Sequence, residues 1–182
     1  MRTFGALAVV GAALLVAGCG GGSHSGATTA AGPAPCTSDA LSGRFAVVPG
    51  SAGAGNIVYR LTLKNTSSSD CWMSGVLVPV AQLQGAGGTS LPTHVAAAES
   101  PTSTTPARIV VHPGHAVKAE ARFSPDVPGV GEQHTGPCEA KAVKLQVEAP
   151  GGGNVAAVID PPTPVCSKGA LQLSLYTPVA GS

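Results

Sequence analysis

Charge is scarce in this chain. Charged residues make up 10% of it, well under half the roughly 25% usual for soluble domains. Long solvated helices and coiled coils need Glu, Lys and Arg on their outer faces, so neither is the main architecture. Neither sign predominates, with 10 Lys plus Arg against 9 Asp plus Glu, so there is no basic field to hold a nucleic acid. Aromatics are scarcer still, at 3%, which leaves few rings for the stacking platforms of carbohydrate or single-stranded nucleic-acid sites. No apolar run reaches the ~20 residues of a membrane-spanning helix. Motifs of catalysis are missing too: no His-Glu-x-x-His, Walker loop or dinucleotide fingerprint occurs. Gly50-Ser51-Ala52-Gly53 fails as a nucleophile elbow, because a glycine directly precedes its serine.

What is present begins with a leader. Arg2 is followed by an apolar run from Phe4 to Gly18 that ends in small residues. A basic start, a short hydrophobic stretch and a small-residue exit make an export signal, not a membrane span. Leu15-Val16-Ala17-Gly18-Cys19 resembles the lipobox of bacterial lipoproteins. The resemblance implies cleavage of residues 1–18 and diacylation of Cys19, with the membrane as partner through that lipid. Cysteine arithmetic agrees. The chain holds 5 Cys, and giving Cys19 to the lipid leaves Cys36, Cys71, Cys138 and Cys166, an even set for an oxidising compartment. Loss of Arg2 leaves nine bases against nine acids (10 − 1 = 9). Attachment then rests on acyl chains, at ~0.8 kcal/mol per buried methylene, and not on charge.

Residues 19–35 read as the lipidated Cys and a tether. From Gly20 to Pro35 there is no large apolar side chain, so the segment cannot offset its ordering entropy by burial. As a flexible chain it spans on the order of 20–24 Å. Residues 36–182 then form one domain, large enough for a single core.

Period-2 alternation dominates that domain. Ile57, Tyr59, Leu61 and Leu63 share one face, with Arg60, Thr62 and Lys64 opposite. Val117–Phe123, Val143–Val147 and Leu171–Leu175 repeat the pattern, the last with Gln172, Ser174 and Tyr176 outward. Weaker candidates are 44–48, 76–83, 108–112 and 154–159. Pro113-Gly114 suits the corners of a type II turn, and Gly151-Gly152-Gly153-Asn154 suits a hairpin loop. The expected fold is all-β: a two-sheet antiparallel sandwich of about seven to eight strands. If the strand after Cys36 runs antiparallel to the one before Cys71, those two cysteines meet. The strands between Cys138 and Cys166 obey the same geometry. Of three possible pairings, Cys36–Cys71 and Cys138–Cys166 are expected, each contributing roughly 3–4 kcal/mol in the chain-entropy argument.

A family resemblance rests on these features together. A Cys opens the domain, and an alternating strand ends in Asn65-Thr66. Cys71-Trp72-Met73-Ser74-Gly75 follows, then Pro113-Gly114 before an outgoing strand, with late cysteines at 138 and 166. From about Cys36 to Val179 the chain resembles the actinobacterial exported proteins that carry domain of unknown function 4232. The resemblance implies an immunoglobulin-like sandwich on a secreted or lipid-anchored protein, and it brings no activity or catalytic residues. Where the family shows an aromatic and a Pro after the glycine, Val76-Leu77 stand here.

The functional expectation is a non-enzymatic, cofactor-free, lipid-anchored protein on the outer face of the cell membrane. Its domain would bind or scaffold, with another envelope protein as partner, an unidentified ligand and no nucleic acid. The alternative is a metal- or small-ligand-handling accessory protein built on His112 and His115, which flank the Pro113-Gly114 turn. Trp72 is expected to pack against the disulfide beside it. Asn65-Thr66-Ser67 matches a glycosylation sequon but is read as incidental.

Overall fold

The computed structural model describes residues 32–180. The expected signal segment, the expected lipidation at Cys19 and the expected tether up to residue 31 lie outside the described residues, as do 181–182. Among the described residues no helix is long and apolar enough to cross a membrane.

Alternation in the sequence becomes burial in the fold. In β3 (Ile57–Asn65), Tyr59, Leu61, Leu63 and Asn65 point inward. In β8 (Ala116–Phe123), Val117, Ala119, Ala121 and Phe123 do the same. The other long strands are β2 (Leu41–Val47), β9 (Ala142–Glu148) and β10 (Asn154–Thr163). Short strands fill the rest: β1 (Ala34–Pro35), β4 (Cys71–Ser74), β5 (Ala81–Gln84), β6 (His94–Ala97), β7 (Arg108–Val111), β11 (Ala170–Leu173) and β12 (Thr177–Pro178). Of the expected strand over 76–83, only Ala81–Gln84 pairs. Pro79 has no N–H to give a ladder, and the chain around it is crossing from one sheet to the other.

Two sheets result. A three-stranded sheet has the order β1-β4-β7, and a nine-stranded one runs β5-β9-β10-β2-β3-β8-β11-β6, with β12 beside β8. Laid flat, eight strands at about 4.8 Å spacing would hold β5 and β6 some 34 Å apart. Leu91, just before β6, instead donates its N–H to the carbonyl of Leu83 in β5 at 3.0 Å. Leu83 N–H in turn donates to Thr93 Oγ1 at 2.9 Å. The large sheet is therefore rolled, and its inner face encloses the core. Phe45, Tyr59 and Phe123 meet there, with centroid separations from 5.1 to 6.5 Å.

The all-β, two-sheet fold with two disulfides is as expected, Cys36–Cys71 and Cys138–Cys166 included. The reasoning behind the pairings holds as well: Leu41 pairs with Asn65 across β2 and β3, and Thr163 with Ala142 across β10 and β9. Strand direction departs from a purely antiparallel sandwich at three places. β10 runs parallel to β2, β11 to β6 and β1 to β4. None of these pairs is joined by a tight turn, so no hairpin fixes their direction.

Candidate functional site

The turn between β7 and β8 forms as the sequence implies. Gly114 adopts φ +79°, and His115 N–H donates to His112 carbonyl at 2.9 Å, closing a four-residue turn. His112 and His115 end with ring centroids 5.6 Å apart in an edge-to-face arrangement. Asp70 Oδ1 lies 2.9 Å from His112 Nδ1, on an exposed surface. His94 lies at the start of β6, and His134 lies in the long loop before β9.

A different triad has its ligand atoms within 4.8 Å of one another: Glu132, Cys138 and Cys166. Its chemistry is already committed, because both sulfurs are in a disulfide and the carboxylate is fully engaged. Glu132 Oε2 accepts from Gly129 N–H at 2.6 Å and from Ser167 N–H at 2.8 Å, while Oε1 accepts from Lys168 N–H. Ser167, Lys168 and Gly169 all have positive φ, so the segment after Cys166 is a left-handed turn whose amides converge on one anion. Local desolvation opposes the charge on Glu132. The backbone donors outweigh it, with help from the Lys168 ammonium, and hold the carboxyl below its ordinary range. This is a lock on the long loop, and nothing in the sequence pattern pointed to it.

The expectation for Trp72 is corrected. Alternation along β4 sends Cys71 and Met73 into the core and leaves Trp72 on the opposite face. There the Arg108 guanidinium lies 4.6 Å from its ring centroid. The serine of the Gly50–Gly55 loop is structural, bonding both the N–H and the carbonyl of Val58. Asn65 is wholly buried, with its amide donating to Ser69 and Val111 carbonyls, so the sequon is not a surface site.

The concave site lies where the chain passes from the small sheet to the large one. Val76-Leu77-Val78-Pro79-Val80 leaves β4 and reaches β5 with little backbone pairing of its own; Glu148 N–H bonds the Val80 carbonyl at 3.0 Å. Pro79 and Met73 are buried, whereas Leu77 is 66% and Val80 65% exposed. These residues form one wall of a cleft of about 290 Å³, and Ala149, Pro150 and Gly152 of the β9–β10 hairpin form another. Tyr176 lines it as well, only 5% exposed, and its hydroxyl is buried without a hydrogen-bond partner among the described residues. Burial pushes the phenol well up, so it stays a neutral donor. Glu148 is the acidic residue of the lining.

Alternation had placed Tyr176 outward, and the structure corrects this. Regular pairing of β11 stops at Leu173, and Ser174 turns its hydroxyl onto the Leu175 carbonyl at 3.0 Å. The phase of the strand is lost there, and Leu175 and Tyr176 are buried consecutively. The described chain also begins at this end of the fold. β1 lies against β4 with Ala34 opposite Cys71, and Ser38 N–H donates to the Gly152 carbonyl at 3.1 Å.

No curated protein and no solved structure matches the chain. A family match covers residues 36–176, from the first disulfide cysteine to the tyrosine of the cleft. The chain thus belongs to the family described as Domain of unknown function (DUF4232).

Proposed function

We propose that the chain is an exported, lipid-anchored envelope protein whose β domain is a non-enzymatic binding module, with the Tyr176 cleft as its ligand site. One observation carries the reading: a largely apolar cleft of about 290 Å³ that leaves Leu77 and Val80 exposed along one wall. Concave apolar sites with a few placed polar groups are the usual form of ligand sites, and Ser74 and Glu148 are polar residues of this lining. Support for the anchor is the lipobox ending at Cys19 and the tether after it. The two disulfides suit an oxidising compartment. All four cysteines among the described residues are held in them, which leaves no thiolate there for nucleophilic catalysis.

Two experiments test it. Fatty-acid label should enter the protein in cells and be lost in Cys19→Ala; unchanged membrane fractionation of that variant would refute the anchor. For the cleft, a ligand at a hundred times its Kd stabilises the fold by roughly 2.7 kcal/mol. Val80→Asp at the exposed rim should abolish that thermal shift, and an unaltered shift would place the site elsewhere.

A second reading has its own observation, the approach of His112 and His115 beside Asp70. As a metal-handling protein, the chain would be stabilised by zinc in a thermal-shift assay and His115→Ala would not. Equal behaviour of the two would dismiss it.

A further inference from the structure

We infer that the outer face of the large sheet docks a linear acidic polysaccharide, whose carboxylates meet a row of cations crossing the strands. This surface is separate from the cleft and goes beyond the reading above. By composition neither sign predominates, with 10 Lys plus Arg against 9 Asp plus Glu. Strand alternation separates the two. Arg44 of β2, Arg60 and Lys64 of β3, Lys118 and Arg122 of β8, and Lys144 of β9 alternate with core side chains, so all six face outward. Glu120, Glu148 and Asp160 share that face. Six bases against three acids give it a formal charge of +3. The rest of the described chain, with three bases and six acids, carries −3.

Register lines the cations up. Lys144 lies opposite Val158, Val158 opposite Arg44, Arg44 opposite Thr62 and Thr62 opposite Lys118. At about 4.8 Å per strand, a cation recurs roughly every 10 Å along a row about 19 Å long. Arg44 bonds Asp160 at 2.9 Å and Arg60 bonds Glu120 at 2.8 Å, whereas Lys64, Lys118, Arg122 and Lys144 have no ion pair among the described residues. The face also selects the carrier of the anions. Its strands β9, β10, β2, β3 and β8 each pair on both sides, which leaves no free backbone edge for an extended acidic peptide. No aromatic side chain stands among its outward positions, so nucleic-acid bases have nothing to stack on. Between the cations lie the Thr62 hydroxyl and the carbon surface of Val158, which is 55% exposed, and a sugar ring can meet both. The rolled sheet makes this face convex, suited to a chain laid across it and not to an enclosed small molecule.

The test measures, by calorimetry at neutral pH and low salt, the affinity of the full chain for an oligogalacturonate long enough to span the row. Binding should fall steeply as added salt shortens the screening length from about 10 Å at 0.1 M to about 3 Å at 1 M. Lys118→Ala and Lys144→Ala, at opposite ends of the row, should each weaken it about two- to five-fold, and the double variant by the product. Arg108→Ala, in the small sheet, removes the same charge and should leave affinity unchanged. Equal weakening by Arg108→Ala would reveal an effect of net charge and overturn the assignment to this face. Free galacturonate binding as tightly as the oligomer would overturn the linear polymer. Oligothymidylate of equal charge binding as tightly would overturn the polysaccharide. No binding of the oligomer at low salt overturns the inference outright. Val80→Asp should alter none of these affinities, so the outcome is independent of the cleft.

Discussion

The amide of Asn65, at the end of β3 in the large sheet, donates to the carbonyl of Val111 in β7 of the small sheet at 2.8 Å. The same nitrogen donates to Ser69 carbonyl, and Oδ1 accepts from both the N–H and the hydroxyl of Ser67. One wholly buried side chain thus satisfies four polar groups and ties the two sheets together where the His112–His115 turn begins. Replacing Asn65 by Ala strands the buried Val111 carbonyl, while the Ser69 carbonyl at the surface keeps the Ser67 hydroxyl as a donor. The expected loss is about 3 kcal/mol, or roughly 6–12 °C in Tm for a domain of this size, read by calorimetry. A loss within a degree or two would show that water fills the role.

Tyr176→Phe should behave oppositely in the unliganded protein. It removes a buried hydroxyl that has no partner and changes little else. The unliganded domain should gain about 1 kcal/mol, a rise of roughly 2–4 °C, read by calorimetry. A destabilised variant would mean that the hydroxyl has a partner in the folded protein.

The Glu132 lock gives a pH dependence whose sign follows from its depressed folded pKa. Its contribution is complete above the unfolded carboxylate range and disappears as pH falls through the lower folded value. Amide proton shifts of Gly129, Ser167 and Lys168 should therefore titrate together, with a midpoint below the ordinary carboxylate pKa, and the titration should vanish in Glu132→Gln. Midpoints at the ordinary value would mean that the three donors do not hold the anion.

The two disulfides should separate under mild reduction. Both close loops of similar length, at sequence separations of 35 and 28, so each contributes about 4 kcal/mol by chain entropy. Access differs: Cys36 and Cys71 are both buried in the core, whereas Cys138 is half-exposed on the loop. Cys138–Cys166 should be reduced first, as followed by alkylation and peptide mapping. Earlier loss of Cys36–Cys71 would contradict this order.

Alternation alone placed β3, β8 and β9, because each has one wet face and one buried face over a long run. It also located both disulfides through strand direction. It missed β1, β4, β6 and β12, which have two to four residues each and carry too few positions to show a period. The cleft was illegible for a related reason. It is assembled from a sheet-to-sheet crossing, a hairpin tip and Tyr176, segments distant in sequence, at the places where regular pairing stops. Period says which way a side chain faces within a strand; it is silent where Ser174 breaks the strand and turns Tyr176 inward. The Glu132 lock depends on a left-handed turn at Ser167 and Lys168, residues that carry no glycine signal for positive φ.

The most direct test of the central claim is a titration of the isotope-labelled domain with a short-chain aliphatic alcohol as an apolar probe, followed through backbone amide shifts. The cleft predicts saturable changes concentrated at Met73–Ala81, Glu148–Gly152 and Tyr176, with the His112–His115 turn unmoved. Changes centred on that turn, or spread evenly without saturation, would contradict it.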